Sequence, residues 1–546
     1  MLHFRNLRLW RLYLIGIIPL SVFTLSLKTL WTLQIGREGQ RLREEAEKQY
    51  FSNIPLPAQR GIIYDRHKRP LTVNVEKVEV YQHGSIDEDM YKTLRRYGLS
   101  PVKNFKRLAK IGYVSPEYVD SINLINKKYA KRHPGKKTYV LSSHEYWARH
   151  AVIEEGHSSL IGYVGKDRYG LYGIEKVLDS YLRGTDGSLP CIKSAERYSS
   201  KKFFTLDRER INPIQGKPIE LTVDAYIQEI AYAALKEKVD ELSAKGGFVI
   251  ITRPENGEIL SMVSYPVKNN ENFVIAYPYE PGSTFKIVVY SAALDDKIIS
   301  PFDSIDTEEG RLRVENRTIR DVHKMGKITW LEAFSHSSNV AAAKLALKLG
   351  RKRVYEQILK LGFGSPTGSF LKGQCVPPGD YRKWKESKLA TLGIGYGLLV
   401  NGLQMVMAYG AVANGGYLYS PKILLNKDPI KIRRALGKRS VKYLKLFMRE
   451  VVENGTGKKA KVPGITVCGK TGTAMVYDKE KRYYDPKRKV VSFIGFFPCN
   501  APQYLIYVVI FEPKGTPWLM YGGEVAAPVF RKIAESIMWS RLHENI

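Results

Sequence analysis

The chain has 546 residues, and its 86 Lys and Arg against 54 Asp and Glu give a formal net charge of +32. Apolar residues make up 44% of it, which excludes wholesale disorder; at about 150 residues per domain the length suits three or four units. Four cysteines (Cys191, Cys375, Cys468, Cys499) with no Cys-x-x-Cys among them exclude a disulfide scaffold and a Cys-rich zinc module, and leave their pairing open.

Leu12 to Leu27 carry no charge, and Trp10 and Trp31 bracket the segment. From Trp10 to Trp31 a helix would extend roughly 33 Å, enough to cross a bilayer core. Arg11 and Lys28 lie near its ends, where long side chains reach the headgroups. The stretch Leu25 to Trp31 lacks the small residues of a signal-peptidase site, so residues 12–31 read as a retained anchor. Arg5, Arg8 and Arg11 precede the span while Lys28, Arg37, Arg41 and Arg43 follow it, and charge counting leaves the orientation open.

Leu33 to Tyr50 is polar and free of Pro, a helix continuing out of the span. Ile54-Pro-Leu-Pro57 breaks it, and Arg60-Gly-Ile-Ile-Tyr-Asp-Arg66 follows as a short apolar strand bounded by charge. Residues 70–220 mix short strands with basic helical pieces, and 134–160 match no recognisable pattern. Residues 103–138 hold ten Lys or Arg against two acids, and 427–445 hold eight against one. These stretches suit solvated faces, anionic headgroups or an acidic partner. No motif with base-stacking aromatics accompanies them, so nucleic acid is not expected.

The texture changes near Leu221. The pattern predicts a helix over Ala225–Ala244, then strands Phe248–Thr252 and Glu258–Ser264 joined as a hairpin by Pro254-Glu-Asn-Gly257. Helical runs follow at Phe285–Leu294, Trp330–Phe334, Val340–Leu349 and Leu398–Asn414. Strand-like runs come next at Ile465–Cys468, Val490–Phe497 and Tyr504–Phe511, before a closing helix from Ala527 to about Leu542. This order predicts an α/β domain with a largely antiparallel sheet over 221–546, a mixed α+β pedestal over 32–220 and a tail over 1–11.

Three short elements carry chemistry. Pro281-Gly-Ser-Thr-Phe-Lys286 puts Ser283 at a helix start, with Lys286 one turn on along the same face. The free N–H groups there favour an alkoxide on Ser283. Alone the spacing says little, since Ser100/Lys103 and Ser199/Lys202 repeat it. Ser337-Ser-Asn339 falls between two helical runs, where Asn339 is suited to cap the helix starting at Val340; Ser121-Ile-Asn123 has the same pattern. Lys470-Thr-Gly-Thr473 follows the strand Ile465–Cys468, and Gly472 removes a side chain where something approaches the backbone closely.

Gly464 to Thr471 also spells the phosphate-loop pattern, but that motif needs a strand before the first Gly and a helix at the Lys-Thr. Here a β-branched run lies inside the loop and Gly472-Thr473 follows it, so nucleotide binding is rejected. A helical zinc pair fails too, because His144 and His150 stand six residues apart.

In this order, Ser-x-x-Lys, Ser-x-Asn and Lys-Thr-Gly resemble the motifs of penicillin-binding proteins and serine β-lactamases. Arg60–Arg66, Gly170-Leu-Tyr-Gly-Ile-Glu175, Leu221-Thr-Val-Asp224, Glu280–Ser283, Gly393-Ile-Gly-Tyr-Gly397, Leu403-Gln404, Ala413-Asn-Gly-Gly416 and Ser492-Phe-Ile-Gly495 resemble the monofunctional class B penicillin-binding proteins. The resemblance implies a single-pass peptidoglycan D,D-transpeptidase with a cytoplasmic N-terminus in the bacterial inner membrane and a catalytic domain outside. It implies stem peptides ending in D-Ala-D-Ala, β-lactams as inhibitors, a membrane glycosyltransferase partner within a division or elongation complex, and no metal or cofactor.

It further implies Ser283 as nucleophile, Lys286 as base, Ser337 as proton relay and Asn339 as substrate holder. Lys470 would be a catalytic residue, the second charge that pushes Lys286 towards neutrality, and the substrate-binding residues Thr471, Gly472 and Thr473 would hold the terminal carboxylate beside it. Glu280 and Gly-Tyr-Gly at 395–397 resemble the septal branch more than the elongation branch. A membrane-anchored serine β-lactamase or β-lactam sensor, or a non-catalytic division scaffold, are the rival readings. High net charge is not something the family predicts.

Overall fold

The structure is a computed structural model and describes residues 3–104, 108–134, 141–152, 159–192, 204–205, 210–266, 272–368, 375–516 and 519–544. Ser199 and Lys202, and parts of the basic stretch 103–138 and of 134–160, lie outside the described residues. The chain passes between two compact units more than once. One gathers residues up to 60 with 74–148 and 183–216; the other gathers 61–73, 149–182 and everything from 217 on.

The smaller unit begins with the helix His3–Gln34, whose part Tyr13–Gln34 has a mean hydropathy of 1.6 and no buried residue. Length and apolarity suit a membrane span. The helix does not run on to Tyr50 as expected: it breaks at Ile35-Gly36, and a separate helix covers Arg37–Tyr50. Beyond it, strands Thr72–His83, Leu108–Val114 and Leu141–Ala151 form an antiparallel sheet packed on helices Glu88–Arg96 and Val119–Arg132 around Val78, Val80, Leu94 and Ile122.

The larger unit is organised by a five-stranded antiparallel sheet. Its strands are β1 (Gly246–Arg253), β2 (Glu258–Tyr265), β3 (Cys468–Asp478), β4 (Tyr483–Phe497) and β5 (Tyr504–Phe511), in the order β2-β1-β5-β4-β3. Helices α1 (Ala225–Glu241) and α6 (Gly522–Glu544) cover one face, meeting Val249, Ile251, Val491, Phe493 and Val508. The other face presents Phe248, Ile250, Ile494, Leu505 and Tyr507 to α2 (Ile287–Asp295), α3 (Asn339–Lys360), α4 (Gly402–Ala413) and α5 (Lys438–Glu453). Alternate residues bury on opposite faces, which explains why β1 and β5 read as unbroken apolar runs.

Segment 61–73 belongs with this sheet because of Asp65, which is fully buried. Its carboxylate accepts from the His67 and Arg69 N–H groups at 2.8 Å, from Arg69 Nε at 2.7 Å and from the Ala225 N–H at 3.3 Å, where α1 begins. Every lone pair of a dry carboxylate is thereby engaged. Cys468, at the start of β3, is bonded to Cys499, just past β4, while Cys375 is a free thiol.

Candidate active site

The segment that carries Ser283 and Lys286 is a tight 3-10 turn, Gly282–Lys286, leading directly into α2. Gly282 has φ +55°, a conformation that favours glycine, and a Cβ there would lie 2.5 Å from the Thr473 carbonyl. Gly472 is tight in the same way: a Cβ would stand 2.4 Å from Ser492 Oγ and 2.8 Å from the Thr284 methyl. Two glycines thus let the turn bearing Ser283 and Lys286 lie against edge strand β3, which bears Lys470, Thr471 and Thr473.

Further ties fix this seam. Gly282 N–H donates to Gly395 O at 3.1 Å, and the Met475 N–H of β3 donates to Tyr396 Oη at 3.0 Å. The Glu280 carboxylate accepts from the Gly397 N–H at 2.6 Å and from Tyr484 Oη at 2.9 Å. Burial raises the pKa of that carboxyl. The Gly393–Gly397 motif therefore splints the Gly282–Lys286 turn to β3 and β4.

Two of the sequence expectations need correction. Lys470-Thr-Gly-Thr473 does not follow a strand: it lies inside β3, which starts at Cys468 rather than ending there. Its Lys, Thr and Gly residues gave no apolar strand signal, because the site and not the core dictates them. Asn339 is not the cap of α3. Ser338 is, its Oγ accepting from the Ala341 N–H at 3.0 Å, and Asn339 is the first helical residue.

The side chain of Asn339 is used elsewhere. Its Oδ1 accepts from Lys286 Nζ at 2.8 Å, and its Nδ2 donates to Arg320 O at 2.9 Å. Lys286 Nζ also lies 2.5 Å from Ser337 O and 3.0 Å from Ser337 Oγ. Lys470 Nζ approaches the same Ser337 Oγ at 2.9 Å, with Thr471 O and Oγ1 at 3.2 and 3.4 Å. Thr471 Oγ1 pairs with Thr456 Oγ1 at 2.7 Å, and Thr473 Oγ1 accepts from the Gly522 N–H at 3.1 Å.

Both lysines are 0% exposed, whereas Ser283, Ser337, Asn339 and Thr473 are half-buried. The site is a dry floor of two amines beneath a rim of hydroxyls and one amide. Burial lowers the Lys286 pKa to about 7, against a smaller opposing pull from the Asp321 carboxylate. Burial lowers Lys470 as well, and the charge on Lys286 lowers it further. A neutral Lys286 has two N–H donors and one lone pair. Its partners match, with two pure acceptors (Ser337 O, Asn339 Oδ1) and one hydroxyl able to donate (Ser337 Oγ).

Ser283 is half-buried on the same 3-10 turn as Lys286. The repeated spacings lie elsewhere. Lys103 pairs with Glu88 at 2.6 Å, and Ser121-Ile-Asn123 sits within the helix Val119–Arg132. One residue escaped the sequence reading. Asp321, after the strand Arg317–Arg320, accepts from the Asn339 and Val340 N–H groups and from Ser338 Oγ. Nothing local marks it, since it precedes its partners by 17 to 19 residues.

Residues 247–535 match the family described as penicillin binding protein transpeptidase domain, and 55–221 match the penicillin-binding protein dimerisation domain. The chain belongs to the penicillin-binding protein transpeptidase family. Similar relatives include stage V sporulation protein D of Bacillus subtilis, 29% identical over 91% of this chain and 80% of that protein. The peptidoglycan D,D-transpeptidase FtsI of Escherichia coli K12 is 27% identical over 97% and 91%.

Among solved structures, penicillin binding protein 2X of Streptococcus thermophilus shares the fold with a TM-score of 0.72 at 20% identity, over 89% of this chain and 80% of that one. The transpeptidase domain of Burkholderia pseudomallei penicillin-binding protein 3 matches with a TM-score of 0.53 at 30% identity, over 59% and 96%.

Proposed function

We propose that this penicillin-binding protein is a peptidoglycan D,D-transpeptidase that cross-links stem peptides through a serine acyl-enzyme, in septal wall synthesis. The observation that carries the reading is the meeting of two buried amines on one hydroxyl, Ser337 Oγ, beside the turn that bears Ser283. A structural lysine pair would not be drawn into a dry cleft without a carboxylate between them, because like charges about 5 Å apart at an effective dielectric near 20 repel by roughly 3 kcal/mol.

Ser283 attacks the penultimate D-Ala carbonyl while Lys286, close to neutrality at physiological pH, takes its proton. Ser337, in contact with both amines, passes a proton to the leaving D-Ala nitrogen. Asn339 holds Lys286 and the substrate backbone. Lys470, Thr471 and Thr473 receive the terminal carboxylate, with Gly472 leaving room at the strand. Ser283 is the second residue of its turn, where an N–H lacks an intrahelical acceptor; with the Thr473 N–H it forms the oxyanion hole, one such donor being worth about 100- to 1000-fold. An amine of a neighbouring stem peptide then resolves the acyl-enzyme.

The apolar helix near the N-terminus anchors the protein with the N-terminus inside and the larger unit outside, where lipid-linked nascent strands and a membrane glycosyltransferase partner are at hand. β-Lactams acylate the same serine. Septal rather than elongation work is supported by the FtsI-named relatives and by Glu280 with Gly-Tyr-Gly at 395–397. Labelling with a fluorescent penicillin, followed by peptide mapping, tests the reading. One adduct on Ser283, absent from Ser283→Ala, is expected; a labelled Ser283→Ala protein would refute it.

A further inference from the structure

We infer that Asp321 is the positioning residue of the Ser337–Asn339 turn, holding it in the conformation that presents both Ser337 oxygens to Lys286 and supplying the negative charge that faces the Lys286 amine. The inference rests on the acyl-transfer reading above and adds to it a residue outside the three motifs.

Ser337 has φ +61°, in the left-handed region that a side chain with a Cβ rarely adopts. Such a conformation is strained and persists only where its surroundings impose it. The conformation turns the Ser337 carbonyl and hydroxyl together onto Lys286 Nζ, at 2.5 and 3.0 Å. On the upstream side the turn is held by the Ser337 N–H on Phe334 O at 3.1 Å and the Ser338 N–H on Ala333 O at 2.8 Å.

On the downstream side Asp321 gathers the rest. Oδ1 accepts from the Asn339 N–H and, at 3.0 Å, from the Val340 N–H; Oδ2 accepts from Ser338 Oγ at 2.7 Å. The Ser338 hydroxyl is thereby oriented to accept from the Ala341 N–H and cap α3. The Asp321 N–H is itself fixed on Gly310 O at 2.9 Å. A carboxylate at this helix start also suits the partial positive charge there.

The charged groups facing the Lys286 amine are Lys470, from β3, and Asp321; Tyr290, one turn further along the helix, keeps its proton because burial raises its pKa. Asp321 is therefore the anion that acts on the Lys286 amine, drawing its pKa upward against burial. Removing its charge while keeping its shape makes Lys286 neutral at lower pH.

The test is the second-order rate of labelling by a fluorescent penicillin, measured on the full-length protein from about pH 5 to about pH 9, where the base titrates. Asp321→Asn is expected to move the rising limb to lower pH by about half a unit or more. Ser338→Ala keeps the charge and removes two bonds, one to Asp321 and one capping α3: a rate several-fold lower with an unmoved limb is expected. Asp321→Ala loses both functions and is expected to label at least about tenfold more slowly at every pH.

A limb in Asp321→Asn that coincides with wild type, or moves to higher pH, overturns the inference, as does wild-type labelling by Asp321→Ala. Should Asp321→Asn not fold, Asp321→Glu carries the test. It retains the charge, so a slower rate at an unmoved limb supports the inference, and either a wild-type rate or an acid-shifted limb contradicts it. Wild-type protein that takes no penicillin would instead defeat the acyl-transfer reading, so the two failures are distinct.

Discussion

Lys286 and Lys470 meet on one atom: Ser337 Oγ lies 3.0 Å from the first amine and 2.9 Å from the second. One lysine comes from the turn that carries Ser283 and the other from an edge strand nearly two hundred residues later. The hydroxyl that joins them stands on a left-handed residue between two helices. Both amines are out of water, which favours their neutral forms, and a charge on Lys286 disfavours one on Lys470 further. Burial brings Lys286 to about 7, where the proposed reaction uses it as a base.

Removing the shared hydroxyl tests that coupling. Ser337→Ala takes one hydrogen-bond partner from each buried amine and interrupts the path to the leaving group. Penicillin labelling should slow by about 100-fold, the usual scale of a proton-transfer group, while the thermal midpoint changes little. Rates measured by gel fluorescence against time will show it.

The pH dependence follows from Lys286. Its pKa is lowered to about 7, so the neutral, basic form gains population as pH rises through that value. Acylation by penicillin should climb roughly tenfold per unit below pH 7 and level off above it. A rate that fell with rising pH through this window would contradict Lys286 as base. Lys286→Ala should take no label although Ser283 remains.

The seam between turn and strand is the next point. Gly472→Ala would place a methyl 2.4 Å from Ser492 Oγ and 2.8 Å from the Thr284 methyl. The turn and β3 must then part, which moves Ser283 away from Thr473. Labelling should fall by more than tenfold, with a stability loss of about 1–3 kcal/mol by denaturant titration, typical of overpacking.

Much of this architecture was legible because the core dictates it. β1, β4 and β5 showed as apolar runs at Phe248–Thr252, Val490–Phe497 and Tyr504–Phe511, since both faces of the sheet are covered. Legibility failed where chemistry outranks the core. The strand bearing Lys470 is polar, so it was placed too early. Asn339 was read as a cap because its type and position suit one, yet Ser338 takes that role and frees Asn339 for Lys286. The pairing of Cys468 with Cys499 depends on the β3–β4 register, which spacing does not convey. Asp321 acts through a tertiary contact that no spacing rule announces.

The Cys468–Cys499 bond closes a sequence separation of 31 residues beside the strand that carries Lys470. Loop closure on that scale constrains the unfolded chain by about 3–4 kcal/mol. Reduced protein, or Cys499→Ser, should unfold at a lower denaturant midpoint than the oxidised form, read by intrinsic fluorescence.

The most direct test of acyl transfer uses a stem pentapeptide ending in D-Ala-D-Ala together with an acceptor stem peptide, and measures free D-Ala alongside cross-linked product. Wild-type protein should release one D-Ala per cross-link, and Ser283→Ala neither D-Ala nor cross-link. Cross-linking that persisted in Ser283→Ala would contradict the account.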